Sequence, residues 1–155
     1  MAPNIGDPVE DFTLPDQDGM AVTFSNFLGK PVVLFFYPKA DTPGCTIEAC
    51  GFRDQFEKLQ QAGAVVLGIS RDTVKAQKKF QEKYDLPYTL LADADQTICN
   101  RFGVIKPKTM YGKPVTGIER TTFVIGSDGR LLHIFSKVKP EAHAEEVLEL
   151  LKAQR

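Results

Sequence analysis

Two apolar runs with a helical segment between them constrain the fold of this 155-residue chain most strongly. The runs cover 32–37 and 64–70, and each reads as a strand buried on both faces. Between them, apolar residues recur at spacings of three and four from Cys45 to Leu59, which predicts one amphipathic helix ended by Gly63. A strand–helix–strand unit of this kind predicts a layered α/β domain in which the two strands pair in parallel.

The rest of the chain supplies further strands and helices. Segments 12–14 and 21–24 flank a turn-rich connection and predict an N-terminal β-hairpin. Further helices are predicted at 73–84, 95–102 and 141–152, and further strands at 88–91, 121–125 and 130–135. The segment 106–119 is predicted to be a loop, because it contains two prolines and two glycines. This order predicts a thioredoxin-like fold with a central mixed sheet, formed by residues 1–155 as a single domain.

Composition excludes several classes of function. The 19 basic and 20 acidic side chains give a net charge of −1, which argues against a nucleic-acid or membrane partner. No apolar run approaches the roughly 18 residues of a membrane span, and the start lacks the features of an export signal. We therefore expect a cytoplasmic protein. Three cysteines suit neither a secreted disulfide framework nor the paired spacing of a structural zinc site, so neither is expected.

Cys45 lies where the first long strand gives way to a helix. Thr42 is a good N-cap residue and Pro43 suits the first helical position, so Cys45 falls in the first turn. Unpaired N–H groups and the helix dipole make that position electropositive, which favours a thiolate, the nucleophilic form of cysteine. Arg120, at the start of a later strand, is a candidate to add positive charge. Glu48 either supports this site or is a solvated helix residue.

Cys50 follows Cys45 by five residues. In a continuous helix their Cα atoms would stand roughly 8 to 9 Å apart, beyond the roughly 7 Å limit for a disulfide. The two sulfurs can therefore bond only if the first turns unwind, which Pro43, Gly44 and Gly51 favour as poor helix formers. Such a pair suits oxidation to a sulfenic acid followed by condensation to a disulfide. Cys99 remains an alternative partner, although a structural role is favoured for it.

These residues resemble the peroxiredoxins. The signature Pro-x-x-x-Thr-x-x-Cys is met by Pro38, Thr42 and Cys45, and the run from 42 to 54 is similar to the Q-type branch, also called bacterioferritin comigratory protein. Further matches lie at 11–15, 117–125 and 128–129, so the resemblance covers nearly the whole chain.

The resemblance implies a role for each site residue. Cys45 would be the peroxidatic nucleophile and Cys50 the resolving thiol. The Thr42 hydroxyl would bind the peroxide, Arg120 would stabilise the thiolate and polarise the O–O bond, and Pro38 would shield the sulfur from water. The backbone N–H groups of Gly44 and Cys45 would complete the peroxide cradle.

The predicted function is reduction of hydrogen peroxide or organic hydroperoxides by a monomer, without metal, haem or flavin, recycled by thioredoxin or a similar dithiol protein. One rival is a thiol–disulfide oxidoreductase on the same fold, although the close Cys-x-x-Cys pair typical of that role is missing. A second rival is a non-catalytic redox sensor or holdase that uses the helix unwinding to engage partners.

Overall fold

The computed structural model describes residues 2–153, which form three sheets and five α-helices. The strands are β1 (Thr13–Pro15), β2 (Ala21–Thr23), β3 (Val32–Phe36), β4 (Val65–Ser70), β5 (Thr89–Ala92), β6 (Ile105–Met110), β7 (Lys113–Ile118), β8 (Thr121–Ile125) and β9 (Leu131–Phe135). The helices are α1 (Pro43–Asp54), α2 (Phe56–Gln61), α3 (Val74–Lys83), α4 (Thr97–Arg101) and α5 (His143–Ala153), and a 3₁₀ turn covers Phe24–Phe27. No helix within this range is long and apolar enough to cross a membrane.

The central sheet has the strand order β5-β4-β3-β8-β9. Strands β3 and β4 pair in parallel, with Leu34 opposite Leu67, and β5 continues the parallel half. Strand β8 runs antiparallel to β3 and carries β9 at the edge. The predicted parallel strand–helix–strand unit, the later antiparallel hairpin and the N-terminal hairpin β1–β2 are all confirmed.

Side chains of β3 and of Tyr37, the residue after it, alternate between two cores on opposite faces of the sheet, as the twofold period of a strand requires. The first core, packed beneath α1, α2, α3 and α5, takes Val33, Phe35 and Tyr37. The second, packed beneath α4 and the N-terminal segment, takes Val32, Leu34 and Phe36. The sheet therefore separates two interiors, and a side chain belongs to one or the other.

The single helix predicted from Cys45 to Leu59 is two helices, α1 and α2, so that prediction is wrong in one detail. The chain bends at Gln55, which has φ −98° and ψ 3°. The bend lets α2 pack against β4 and brings the Phe56 ring to 6.1 Å from that of Tyr88. Gly63 adopts a positive φ of 85° just after α2, as predicted for a residue that follows a helix.

The predicted loop at 106–119 is wrong, because residues 105–118 form the exposed two-stranded ribbon β6–β7. Its two prolines argued against a strand, because proline has no N–H to donate to the hydrogen bonds between strands. Both strands of an isolated ribbon are edges, however, and Pro107 and Pro114 are tolerated there. The turn Tyr111-Gly112 has positive φ at both residues, which is typical of a tight two-residue hairpin turn.

Candidate active site

Cys45 is the third residue of α1 and is 1% exposed. It packs in the first core among apolar side chains of β3 and the surrounding helices. The N–H groups of the first helical turn have no partner within the helix and point toward this end of the site. The first turn is closed by a hydrogen bond from the Thr46 N–H to the Thr42 carbonyl at 2.8 Å. The buried Cys45 sulfur therefore lies beside backbone N–H donors.

A five-residue loop, residues 38–42, connects β3 and its extension at Tyr37 to α1. It contains the half-buried Pro38 and ends at Thr42, the N-cap position. The Thr42 side chain does not make the hydrogen bond to the helix backbone that is expected of an N-cap residue. Its hydroxyl instead donates to the Lys39 carbonyl at 2.8 Å, a bond within the loop.

Arg120 lies directly before β8, and register in the central sheet brings this position next to the start of α1. Its Nη1 donates to Glu48 Oε1 at 2.9 Å, and its guanidinium lies against Gly44, the residue directly before Cys45. Burial alone would lower the pKa of Arg120, but the charges of Glu48 and Cys45 outweigh it and raise that pKa. The structure therefore brings Arg120 and Cys45 together across 75 residues of sequence.

Gly44 leaves room for the guanidinium. A Cβ at this position would lie 3.0 Å from Arg120 Nη2 and 3.5 Å from Pro140 Cγ. Such a separation is tighter than normal packing, so a side chain here would push the arginine away from the sulfur. Pro140, three residues before α5, is the other side chain close to this position.

Glu48 is the residue whose importance the sequence left open, and the structure places it fully inside the protein. Its Oε1 accepts from Arg120, whereas Oε2 is buried without a hydrogen-bond partner among the described residues. Burial raises its pKa from 4.5 to about 7, and Arg120 offsets this only in part. The sequence signal for this contact is a carboxylate three residues after Cys45, on the same apolar face of the helix.

Cys50 is half-buried in the same helix and is a free thiol, as is Cys45. Burial raises the pKa of Cys50, with an opposing effect of Arg53. It lines a groove between α1 and α5 whose other walls include Ile47, Gly51 and Pro140. The intact helix keeps the two sulfurs apart, so a disulfide between them requires α1 to unwind.

Cys99 lies in α4 and belongs to the second core, on the opposite face of the sheet from Cys45. It is fully buried, and its N–H donates to Asp93 Oδ2 at 2.7 Å. Burial, together with Asp93, raises the pKa of the Cys99 thiol far above its usual range. The third cysteine is therefore separated from the first by the central sheet.

Within residues 2–153, no three His, Cys, Asp or Glu side chains come together in a way that could hold a metal ion. The chemistry that the site can support is that of a thiolate held by a guanidinium and by helix N–H groups.

Comparison with known proteins identifies the family. The AhpC/TSA family model matches residues 5–134. The putative peroxiredoxin bcp of Coxiella burnetii is 49% identical over 148 residues, covering 96% of this chain and 98% of that protein. Peroxiredoxin Bcp of Escherichia coli K12 is 46% identical over 147 residues, covering 95% and 94%.

Solved structures agree with this result. A mutant of Xylella fastidiosa PrxQ superposes with a TM-score of 0.94 at 40% identity, covering 99% of this chain and 98% of that one. The bacterioferritin comigratory protein of Xanthomonas campestris gives a TM-score of 0.88 at 40% identity, covering 92% and 91%. The chain therefore belongs to the AhpC/TSA family, among the peroxiredoxins of the Bcp and Q type, and is a thiol peroxidase.

Proposed function

We propose that the chain reduces hydrogen peroxide and organic hydroperoxides through Cys45, and that Cys50 resolves the oxidised sulfur. The observation that carries the proposal is the Arg120 guanidinium placed against the start of α1, where Cys45 lies in the first turn. The Xanthomonas campestris relative has alkyl peroxide reduction activity, which supports organic hydroperoxides as substrates.

The first step is attack of the Cys45 thiolate on one peroxide oxygen. An S–O bond forms as the O–O bond breaks, so sulfur loses two electrons and the peroxide gains them. The leaving alkoxide or hydroxide takes a proton from solvent and departs as alcohol or water. Arg120 stabilises the negative charge as it moves to the leaving oxygen, while Thr42 and the N–H groups of Gly44 and Cys45 orient the peroxide.

The second step joins the two sulfurs. Once α1 unwinds, the Cys50 sulfur displaces hydroxide from the Cys45 sulfenic acid, and the products are a disulfide and water. The location of Cys99 behind the sheet favours Cys50 as the partner. The groove at Cys50 is open to solvent, which leaves a route for an external dithiol.

In the third step a protein dithiol gives two electrons to the disulfide between Cys45 and Cys50 and restores both thiols. We propose that this dithiol belongs to thioredoxin or a similar protein. A cycle that depends on a steady supply of dithiols is suited to a reducing compartment, so we propose a cytoplasmic location. The whole site described above is built by one copy of the chain, which supports a monomer as the working unit.

Two variants test the proposal. Cys45→Ser should abolish peroxide consumption, and normal turnover in this variant would disprove the assignment of the nucleophile. Cys50→Ser should still consume one equivalent of peroxide but should not cycle with thioredoxin. Peptide mapping of the wild type after one equivalent of peroxide should find a disulfide between positions 45 and 50, whereas a bond to Cys99 would contradict the proposed resolving step.

A further inference from the structure

A part-buried polar cluster lies beneath the loop 38–42. Asp72 follows the end of β4, and its Oδ2 accepts two hydrogen bonds. One comes from the Ala40 backbone N–H at 2.8 Å, and the other comes from the Ser70 hydroxyl at 2.6 Å. The Asp72 N–H is 3.3 Å from Ser70 Oγ, so the carboxylate is oriented by its own turn. A single oxygen thus joins the end of a core strand to the middle of the loop.

The loop has a second tie on its solvent side. Asp41 has a left-handed φ of 60°, and its carboxylate accepts from the Tyr84 hydroxyl at 2.7 Å and from Lys83 Nζ at 2.9 Å. These groups are exposed, and exposed ion pairs contribute little to holding a conformation. The bond from Ala40 to Asp72 is part-buried and therefore less exposed to competition from water, which makes it the stronger of the two ties.

We propose that Asp72 is a positioning residue for the peroxidase reaction. It acts through Ala40, whose N–H it holds, and thereby keeps Pro38 and Thr42 in place around Cys45. The inference rests on the roles proposed above for Pro38 and Thr42. Displacement of a positioned group by about 1 Å can lower a rate by about 100-fold, so a single loop anchor can be important for the rate.

Three substitutions separate the geometry of this carboxylate from its charge. Asp72→Ala removes the acceptor. Asp72→Asn removes the charge but keeps an oxygen that can accept from both Ala40 and Ser70. Asp72→Glu keeps the charge but moves it by one methylene, and because Asp72 is only half-buried the longer side chain can be accommodated. Rates are measured as single-turnover oxidation by hydrogen peroxide in stopped flow, alongside steady-state kcat and KM.

We expect oxidation of the alanine and glutamate variants to be slower by on the order of 10- to 100-fold. The asparagine variant should stay close to the wild type. The loss should be in kcat/KM for peroxide, whereas the rate at which a preformed sulfenic acid is resolved should match the wild type. A merely structural role would lower both rates and would not be rescued by asparagine.

Two results would overturn the inference: wild-type oxidation in the alanine variant, or an asparagine variant as slow as the glutamate variant. If the alanine variant does not fold, the comparison of asparagine with glutamate decides the question alone. Cys45→Ser is measured in parallel. An inactive Cys45→Ser beside an unaffected Asp72→Ala refutes only the role of Asp72, whereas an active Cys45→Ser refutes the proposed function itself.

Discussion

Replacement of Glu48 by glutamine should remove a large pH dependence from the stability of the reduced protein. The carboxyl group has a pKa of about 7 in the folded chain against an ordinary value of 4.5. The folded state therefore binds this proton more tightly than the unfolded state does. Below pH 4.5 the stabilisation is fully present, and it is lost as the pH rises from 4.5 through 7.

The size of the effect follows from the shift. Each pKa unit corresponds to about 1.4 kcal/mol, so the free energy of unfolding should fall by about 3 kcal/mol across this range because of Glu48 alone. The physical cause is burial, since the single hydrogen bond from Arg120 does not replace the water that the ionised group loses.

The assay is urea unfolding of the reduced protein at several pH values between 4.5 and 8. The wild type is compared with Glu48→Gln, so that groups common to both proteins cancel in the difference. That difference should change by about 3 kcal/mol over the range. Glu57→Gln, at an exposed glutamate of α2, is the matched control and should follow the wild type. A difference that does not vary with pH would refute the reasoning.

The rate at which α1 unwinds gives a second test of the ionisation of Glu48. When the helix opens to let Cys50 reach Cys45, Glu48 leaves its buried position and regains water. An ionised Glu48 therefore destabilises the wound helix, so disulfide formation in the wild type should accelerate relative to Glu48→Gln as the pH rises through 7. A ratio of the two rates that is constant with pH would show that Glu48 stays buried during the step.

Further substitutions probe the site and the core. Gly44→Ala should lower the oxidation rate about 10-fold by displacing Arg120, without loss of stability, because alanine favours a helix; stopped flow measures the rate, and an unchanged value contradicts the contact. Cys99→Ala should keep full thioredoxin-supported turnover, and a loss of cycling would make Cys99 the resolving thiol. Gly68→Ala should destabilise the protein by about 1–3 kcal/mol, because its methyl would lie 2.9 Å from the Phe35 ring. Urea unfolding measures this, and unchanged stability would mean that the core can adjust.

The strand–helix–strand core could be predicted from the sequence because its signals are local. The apolar run at 32–37 and the period of three to four residues after Cys45 each depend on neighbours within one element. The ribbon β6–β7 could not be predicted, because its prolines are allowed only where no third strand pairs beside it, as is the case within residues 2–153. Whether a strand lies at an edge is a property of the assembled sheet.

In the candidate site, too, some features could be predicted from local sequence and others depend on the folded chain. The sequence placed Cys45 in the first turn of a helix, next to Thr42 and five residues before Cys50, because helix starts carry their own residue signals. Thr42 is the N-cap residue, as predicted, but the hydrogen-bond partner of its hydroxyl could not be predicted. That partner depends on the backbone conformation of the loop, which brings the Lys39 carbonyl within reach.

The chemistry therefore follows from local sequence signals: a cysteine at a helix start, a second thiol that an intact helix keeps out of reach, and the elements that carry them. Which distant groups act on that sulfur depends instead on the tertiary structure. Pairing of β8 with β3 brings Arg120 to Cys45, the end of β4 brings Asp72 to the loop, and the sheet puts Cys99 on the far side. Local patterns report contacts a few residues apart, whereas these depend on strand order and on which face of the sheet a side chain occupies.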